Sequence, residues 1–292
     1  MSGPPTISIT TEKLIMPQYL IFTDLDGCLL DSQSYSFDAA RPAIEELQAR
    51  HIPVVLVSSK TRAEIEPLRE QLNHHGPFIV ENGGGIFVPV GTFDFPLDHA
   101  RPRSAYSVIE LGIPYAMLRD VLKQIEDAVC TPLKGFGDFS IDELMQATGL
   151  THEAAVRAKL REYDEPYLLE GPPSLVHEVC RQITSRGLQW TKGGRFYHLT
   201  GHHDKGQAAM RLLQCYRQQW RLEGRNDEVE TVGIGDSLND LSLLRAVDHP
   251  VLVQKPDGSY DPNISIPGLI RAPGPGPIGW NAVVLDLLTQ KV

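Results

Sequence analysis

Short apolar runs that stop at polar or glycine-rich loops, with helical stretches between them, restrict this chain more than any other feature. Tyr19-Leu20-Ile21-Phe22, Pro53-Val54-Val55-Leu56-Val57 and Phe78-Ile79-Val80 come first, and Glu230-Thr231-Val232-Gly233-Ile234 and His249-Pro250-Val251-Leu252-Val253 come late. Unbroken apolar runs of this length are strands buried on both faces. Between the first two lies a helical stretch over 37–50, with Ala40, Ile44 and Leu47 at helical spacing. Residues 63–72, 205–220 and 241–247 read as further helices. Strands alternating with helices predict an α/β fold, a doubly wound parallel sheet. Such sheets take their ligands in the crevice beyond the carboxyl ends of the strands.

The middle of the chain reads differently. Pro89, Pro96, Pro102 and Pro114 punctuate it, and strand and helix signals mix. Helices are expected over 115–128, 141–148, 151–162 and 175–186, and strands over 167–169 and 189–190. With 292 residues the chain can hold two domains with proper cores. Residues 87–199 read as an inserted α+β domain, 18–86 together with 200–292 as the α/β core, and 1–17 as a flexible tail. The glycine- and proline-rich stretch 272–281 reads as an ordered loop before a last helix over 282–288.

Composition narrows the partners. A formal net charge of −10 disfavours nucleic acid and anionic membranes. No stretch approaches the roughly 20 apolar residues of a membrane helix, and the N-terminus lacks the pattern of a secretory signal. Cys28, Cys130, Cys180 and Cys215 include no CxxC pair, which suggests reduced thiols and a cytoplasmic setting. A small anionic substrate is compatible with the overall charge through a local cation or a metal.

The chemistry starts at Asp24-Leu25-Asp26-Gly27. Asp24 and Asp26 follow the first strand, two residues apart, so both carboxylates can face one site. Crowded carboxylates invite a divalent cation, and oxygen-only ligation suits Mg²⁺. A carboxylate beside a metal can attack a phosphoryl group. Later strand and helix ends add Ser58, Lys205, Asp236 and Asp240. Asp24 fits a nucleophile, and Asp26 a general acid that later activates water. Ser58 and Lys205 fit phosphate oxygens, and Asp236 completes the metal shell with Asp24. Asp240 is placed to orient Lys205 or a metal-bound water. His198, His202 and His203 lack further ligands at zinc spacing, so zinc is set aside. Tyr216 and Trp220 read as core packing.

This set, in this order, resembles the haloacid dehalogenase superfamily of aspartate-nucleophile phosphatases. The resemblance implies a Rossmann-like core, an aspartyl-phosphate intermediate, a backbone-carbonyl metal contact from Asp26, and an inserted cap that excludes water and selects the leaving group. Cys28 departs from it, since threonine is usual there; activity is expected to survive. Ser58-Ser59-Lys60-Thr61-Arg62, Glu81-Asn82-Gly83-Gly84, Tyr163-Asp164-Glu165-Pro166, Gly193-Gly194-Arg195-Phe196 and Gly276-Pro277-Ile278-Gly279-Trp280 are similar to stretches of the mannosyl-3-phosphoglycerate phosphatases. That family dephosphorylates a glycosylated 3-phosphoglycerate with Mg²⁺ in making the compatible solute mannosylglycerate. The resemblance implies substrate contacts at Lys60, Arg62, Asn82, Gly83, Asp164, Glu165, Gly194 and Arg195. Arg195, with Arg62 or Lys60, suits the substrate carboxylate, and Asn82, Asp164 and Glu165 suit sugar hydroxyls. A hexose-phosphate phosphatase or phosphomutase of the same superfamily, or an inactive sugar-phosphate-binding regulator, remains an alternative. Mannosyl and glucosyl substrates are not separated by these residues, and oligomeric state is silent.

Overall fold

A computed structural model describes residues 18–192, 195–225 and 228–289. The expected N-terminal tail, 1–17, and Gly194 lie outside the described residues. In chain order the elements are β1 (Gln18–Thr23), α1 (Arg41–Ala49), β2 (Val54–Val57), α2 (Arg62–Gln71), β3 (Phe78–Val80), β4 (Gly85–Pro89), β5 (Ala100–Arg103) and β6 (Tyr106–Glu110). Next come α3 (Tyr115–Val129), α4 (Ile141–Thr148), α5 (His152–Ala158), β7 (Asp164–Tyr167), α6 (Pro173–Ser185), β8 (Gln189–Lys192) and β9 (Tyr197–Thr200). The chain ends with α7 (Lys205–Leu222), β10 (Val229–Gly235), α8 (Leu241–Ala246), β11 (His249–Gln254), β12 (Ile270–Pro275) and α9 (Gly276–Thr289).

One nine-stranded sheet carries the order β12-β11-β10-β1-β2-β3-β4-β6-β5. It is parallel from β12 to β3 and antiparallel beyond. Alternation along β1 sends Tyr19 and Ile21 to the layer holding α1 and α9, and Leu20 and Phe22 to the layer holding α7. Both faces are buried, so Tyr19-Leu20-Ile21-Phe22 is an unbroken apolar run. After β1 the chain moves to β2 on one side, and β10 later pairs on the other. β1 is therefore the switch point of the sheet, the place where a crevice opens.

The sheet runs past the domain boundary expected at residue 87. Phe78, Phe87 and Tyr106 pack ring to ring across β3, β4 and β6, which binds 85–110 to the core as an antiparallel extension. The signal was obscured by Pro89 and Pro102, which the structure tolerates at a strand end and on the edge strand β5. The separate unit begins only at α3. It has its own three-stranded antiparallel sheet, β7-β9-β8, and its own core of Leu118, Leu122, Tyr167, Val179 and Leu199 among others. Its first strand is Asp164–Tyr167, earlier than the 167–169 expected. The expected loop 272–281 is also corrected: Ile270–Pro275 is a strand and α9 starts at Gly276. Pro277 sits at the second helical residue, where a missing N–H costs nothing.

Candidate active site

Asp24 leaves β1 with its N–H donated to the Ile234 carbonyl at 2.8 Å, which ties it to the end of β10. Thr23, just before it, is anchored from behind: Trp280 Nε1 donates to Thr23 Oγ1 at 2.9 Å, and that hydroxyl donates to the Asp24 carbonyl at 2.8 Å. Gly27 follows at φ +72°, a backbone state that side chains disfavour, and a Cβ there would stand 3.1 Å from Asp236 Oδ2. The turn after β1 and the loop after β10 are thus pressed together. Cys28, the departure from threonine, is fully buried with Sγ 3.8 Å from Thr23 Oγ1.

Lys205 joins them from the first position of α7. Its Nζ donates to Asp24 Oδ1 and Asp240 Oδ1, both at 2.6 Å, and the side chain is completely buried. Burial opposes its charge, but the two carboxylates outweigh burial and hold the ammonium above its ordinary range. Asp240 is fixed as well, because its Oδ2 accepts the backbone N–H groups of Asp236 and Ser237. A Cβ on Gly235 would strike Asp240, so that loop closes only with glycine.

Oxygens of Asp24, Asp236 and Asp240 lie within 4.8 Å of one another. Burial, then the Asp240 charge, pushes the Asp24 carboxyl up and the Asp236 carboxyl to about 6. Three carboxylates against one ammonium leave an excess of negative charge in a nearly dry place. A divalent cation with oxygen ligands fits that donor set and would relieve the repulsion. Asp240 offers the least to such an ion, since both its oxygens already accept bonds.

Asp26 takes a different cation from Asp24. Its Oδ2 pairs with Lys60 Nζ at 3.0 Å, and its Oδ1 is buried without a partner among the described residues. Ser58 is buried at the end of β2; its carbonyl accepts the Asn82 N–H and its hydroxyl the Lys60 N–H. Glu81 and Asn82 both hold positive φ, 47° and 55°, at the end of β3. Two consecutive non-glycine residues in that region mark a strained loop, of the sort found at functional sites. Gly83 packs under it against the Asp204 carbonyl, which caps α7. Gly83 therefore sets where Lys205 begins, and its role is close approach.

A cleft of about 720 Å³ opens beside this cluster, between Ser59, Asn82, Ser237, Asn239 and Lys255 of the core and Thr191, Lys192 and His198 of the inserted unit. Of the residues expected to meet substrate, Asn82 lines it. Arg62, Arg195, Asp164 and Glu165 have other partners. Arg62 is bound to Glu66 and Glu162, and Arg195 donates to the Ala147 carbonyl on the outside of the inserted unit. Asp164 is fully buried, held by Arg161 at 3.0 Å and His198 at 2.8 Å. Glu165 is fully buried against Arg119 at 2.7 Å. Those carboxylates are held by cations in the unit's interior, with Glu165 Oε2 buried and without a hydrogen-bond partner among the described residues. Thr191 and His198 were missed as cleft residues because only the pairing of β8 with β9 brings them to one face.

The pattern of the haloacid dehalogenase-like hydrolases matches residues 21–92. A glucosyl-3-phosphoglycerate/mannosyl-3-phosphoglycerate phosphatase of Methanococcoides burtonii is 46% identical over 274 residues, 94% of this chain and 98% of that protein. A mannosyl-3-phosphoglycerate phosphatase of Pyrococcus furiosus is 38% identical over 234 residues, covering 80% and 90% respectively. Among solved structures, a Thermoplasma acidophilum protein aligns with TM-score 0.66 at 18% identity over 94% of this chain and all of its own. A Synechocystis sucrose-phosphatase, solved with sucrose and phosphate, gives 0.57 at 18% over 94% and 98%. These two show the fold.

Proposed function

Since the chain belongs to the glucosyl-3-phosphoglycerate/mannosyl-3-phosphoglycerate phosphatases, within the haloacid dehalogenase-like hydrolases, we propose that it is a Mg²⁺-dependent phosphomonoesterase acting on mannosyl- or glucosyl-3-phosphoglycerate. The observation that carries the mechanism is the buried Lys205 ammonium, 2.6 Å from both Asp24 and Asp240. It fixes one Asp24 oxygen and leaves the other for attack.

Asp24 attacks phosphorus, and the bond from phosphorus to the glycerate oxygen breaks. Asp26 gives its proton to that oxygen, so a neutral hydroxyl departs. Asp26, now a carboxylate, takes a proton from water as the water attacks the aspartyl phosphate. Phosphate leaves and Asp24 is restored. The Ser58 hydroxyl and Lys205 hold phosphate oxygens through both halves. A Mg²⁺ held by Asp24, Asp236 and the Asp26 backbone carbonyl would supply positive charge against the phosphoryl oxygens.

Lys60 supports a substrate with a second anion. In the resting site it sits on Asp26, and a glycerate carboxylate can accept from the same ammonium. The inserted unit, about 114–200, is assigned as the cap, and four free thiols fit a reducing compartment such as the cytoplasm. No helix among the described residues is long and apolar enough to cross a membrane.

Phosphate release from both glycosyl phosphoglycerates, measured with and without a chelator, tests the reading. Asp24→Asn should lower kcat by about a thousandfold or more, and chelation should abolish turnover until Mg²⁺ is restored. Full activity in Asp24→Asn would reject the nucleophile, and a flat rate across unrelated sugar phosphates would reject the substrate.

A further inference from the structure

The cap sheet turns one polar face toward the core. In β8 and β9, Gln189 pairs with Thr200 and Thr191 with His198. Residues two apart share a side, so Gln189, Thr191, His198 and Thr200 stand together. Asp164, paired with Thr200 from β7, stands on that side too. The opposite face carries Tyr197 and Leu199 into the cap's own core. Thr191 and His198 reach the 720 Å³ cleft, and Gln189, Thr191 and Thr200 line a smaller adjoining space of about 290 Å³.

His198 is held on this face by the Asp164 carboxylate. Its Nδ1 lies 2.8 and 3.1 Å from the two oxygens of Asp164. That carboxylate is fully buried and already balanced by Arg161. An ionised carboxylate only accepts, so Nδ1 must carry the proton. In the neutral ring Nε2 is then a lone-pair acceptor of fixed direction. Nε2 makes no hydrogen bond among the described residues, and the side chain, 19% exposed, opens to the cleft. The core side of the cleft supplies Lys255, the two-way groups Ser59, Ser237, Asn82 and Asn239, and one carboxylate, Asp261, whose oxygens already accept from Lys255 and Asn263. On the cap side His198 Nε2 offers a hydroxyl-bearing leaving group an acceptor of fixed direction.

We propose that His198 is a specificity-determining residue, whose Nε2, aimed by Asp164 through Nδ1, accepts a hydrogen bond from a sugar hydroxyl of the leaving group. Asp164 is then a positioning residue. This rests on the glycosyl-phosphoglycerate reading above and gives the sugar end of that substrate its contact. A site built to bond a hydroxyl discriminates strongly against a molecule without one, because its own polar group is left unpaired.

The test compares His198→Phe and His198→Gln with the parent enzyme on mannosyl- and glucosyl-3-phosphoglycerate, on 3-phosphoglycerate, which lacks the sugar, and on 4-nitrophenyl phosphate. For His198→Phe the ratio of kcat/KM on the glycosyl substrates to that on 3-phosphoglycerate should fall about 10- to 100-fold, chiefly through KM. His198→Gln, whose amide oxygen can accept, should recover part of that ratio. Parallel losses on every substrate would overturn the proposal in favour of a purely structural role, and an unchanged ratio would overturn it outright. Should the parent enzyme release no phosphate from either glycosyl phosphoglycerate, the substrate reading fails by itself. The same ratio taken between the best hexose phosphate and 4-nitrophenyl phosphate then decides His198, with the same two overturning results.

Discussion

Gly83 illustrates how a residue can matter to a phosphatase without touching phosphate. It holds φ +101°, and an added Cβ would fall 2.2 Å from the Asp204 carbonyl. Neither backbone can give way cheaply, because Asp204 caps α7 and the next residue is Lys205. Gly83→Ala should therefore destabilise the protein by about 2 kcal/mol or more, read as the midpoint shift in urea unfolding. What remains folded should show a lower kcat, since Lys205 is displaced. That Asp24, Asp236 and Asp240 would gather in one place could be read from their order at strand ends, and their oxygens do lie within 4.8 Å of one another. Arg62, Asp164 and Glu165, expected at the substrate, are engaged by protein groups instead, because a charged side chain in a suggestive stretch can be taken up by a partner far along the chain. Glu162 for Arg62 and Arg119 for Glu165 are such partners, and neither is adjacent to its mate in sequence.

The elements tell a similar story. The parallel strands β1, β2, β3, β10 and β11 announced themselves as apolar runs, whereas β5, β12 and the start of α9 were hidden by glycine and by proline, which forbids an element only where its missing N–H is needed. Trp280, in the first turns of α9, reaches back to Thr23 at the end of β1. Trp280→Phe keeps much of the apolar bulk and leaves the buried Thr23 hydroxyl short of a donor; a loss of about 1–3 kcal/mol is expected by chemical denaturation. On the cap sheet, burial opposes the charge of Asp164, but His198 and Arg161 outweigh it and keep the carboxyl below its ordinary 3.8. A depressed carboxyl stabilises the fold fully above its unfolded value, and the contribution disappears as pH falls through the lower folded one. Asp164→Asn should accordingly cost on the order of 3 kcal/mol at neutral pH. The gap in Tm from the parent should narrow in scans taken below about pH 3.8.

At the scale of the whole molecule, cap and core are joined by polar contacts concentrated at one strained corner. Glu81 accepts the backbone N–H groups of Glu162 and Tyr163 at 2.9 and 2.8 Å, and Arg161 donates to the Ser59 carbonyl at 3.3 Å. Glu81→Gln can keep only one of the two amide bonds with its oxygen. Hydrogen exchange at the amides of Glu162 and Tyr163 should quicken about tenfold, while the strands of the nine-stranded sheet keep their protection. The same architecture has a consequence for synthesis. β1 needs β10 on one flank, and Lys205, Asp236 and Asp240 arrive with that late segment, after the whole cap. A ribosome that has released only the first 200 residues has made a cap able to bury its own core, but a half-sheet whose fully buried strand β1 has an open side. Such a nascent chain carries an exposed pairing edge and an Asp24 without its Lys205 ammonium. The interval between emergence of β1 and of β10 is therefore when this polypeptide is most prone to aggregate, and most in need of a chaperone.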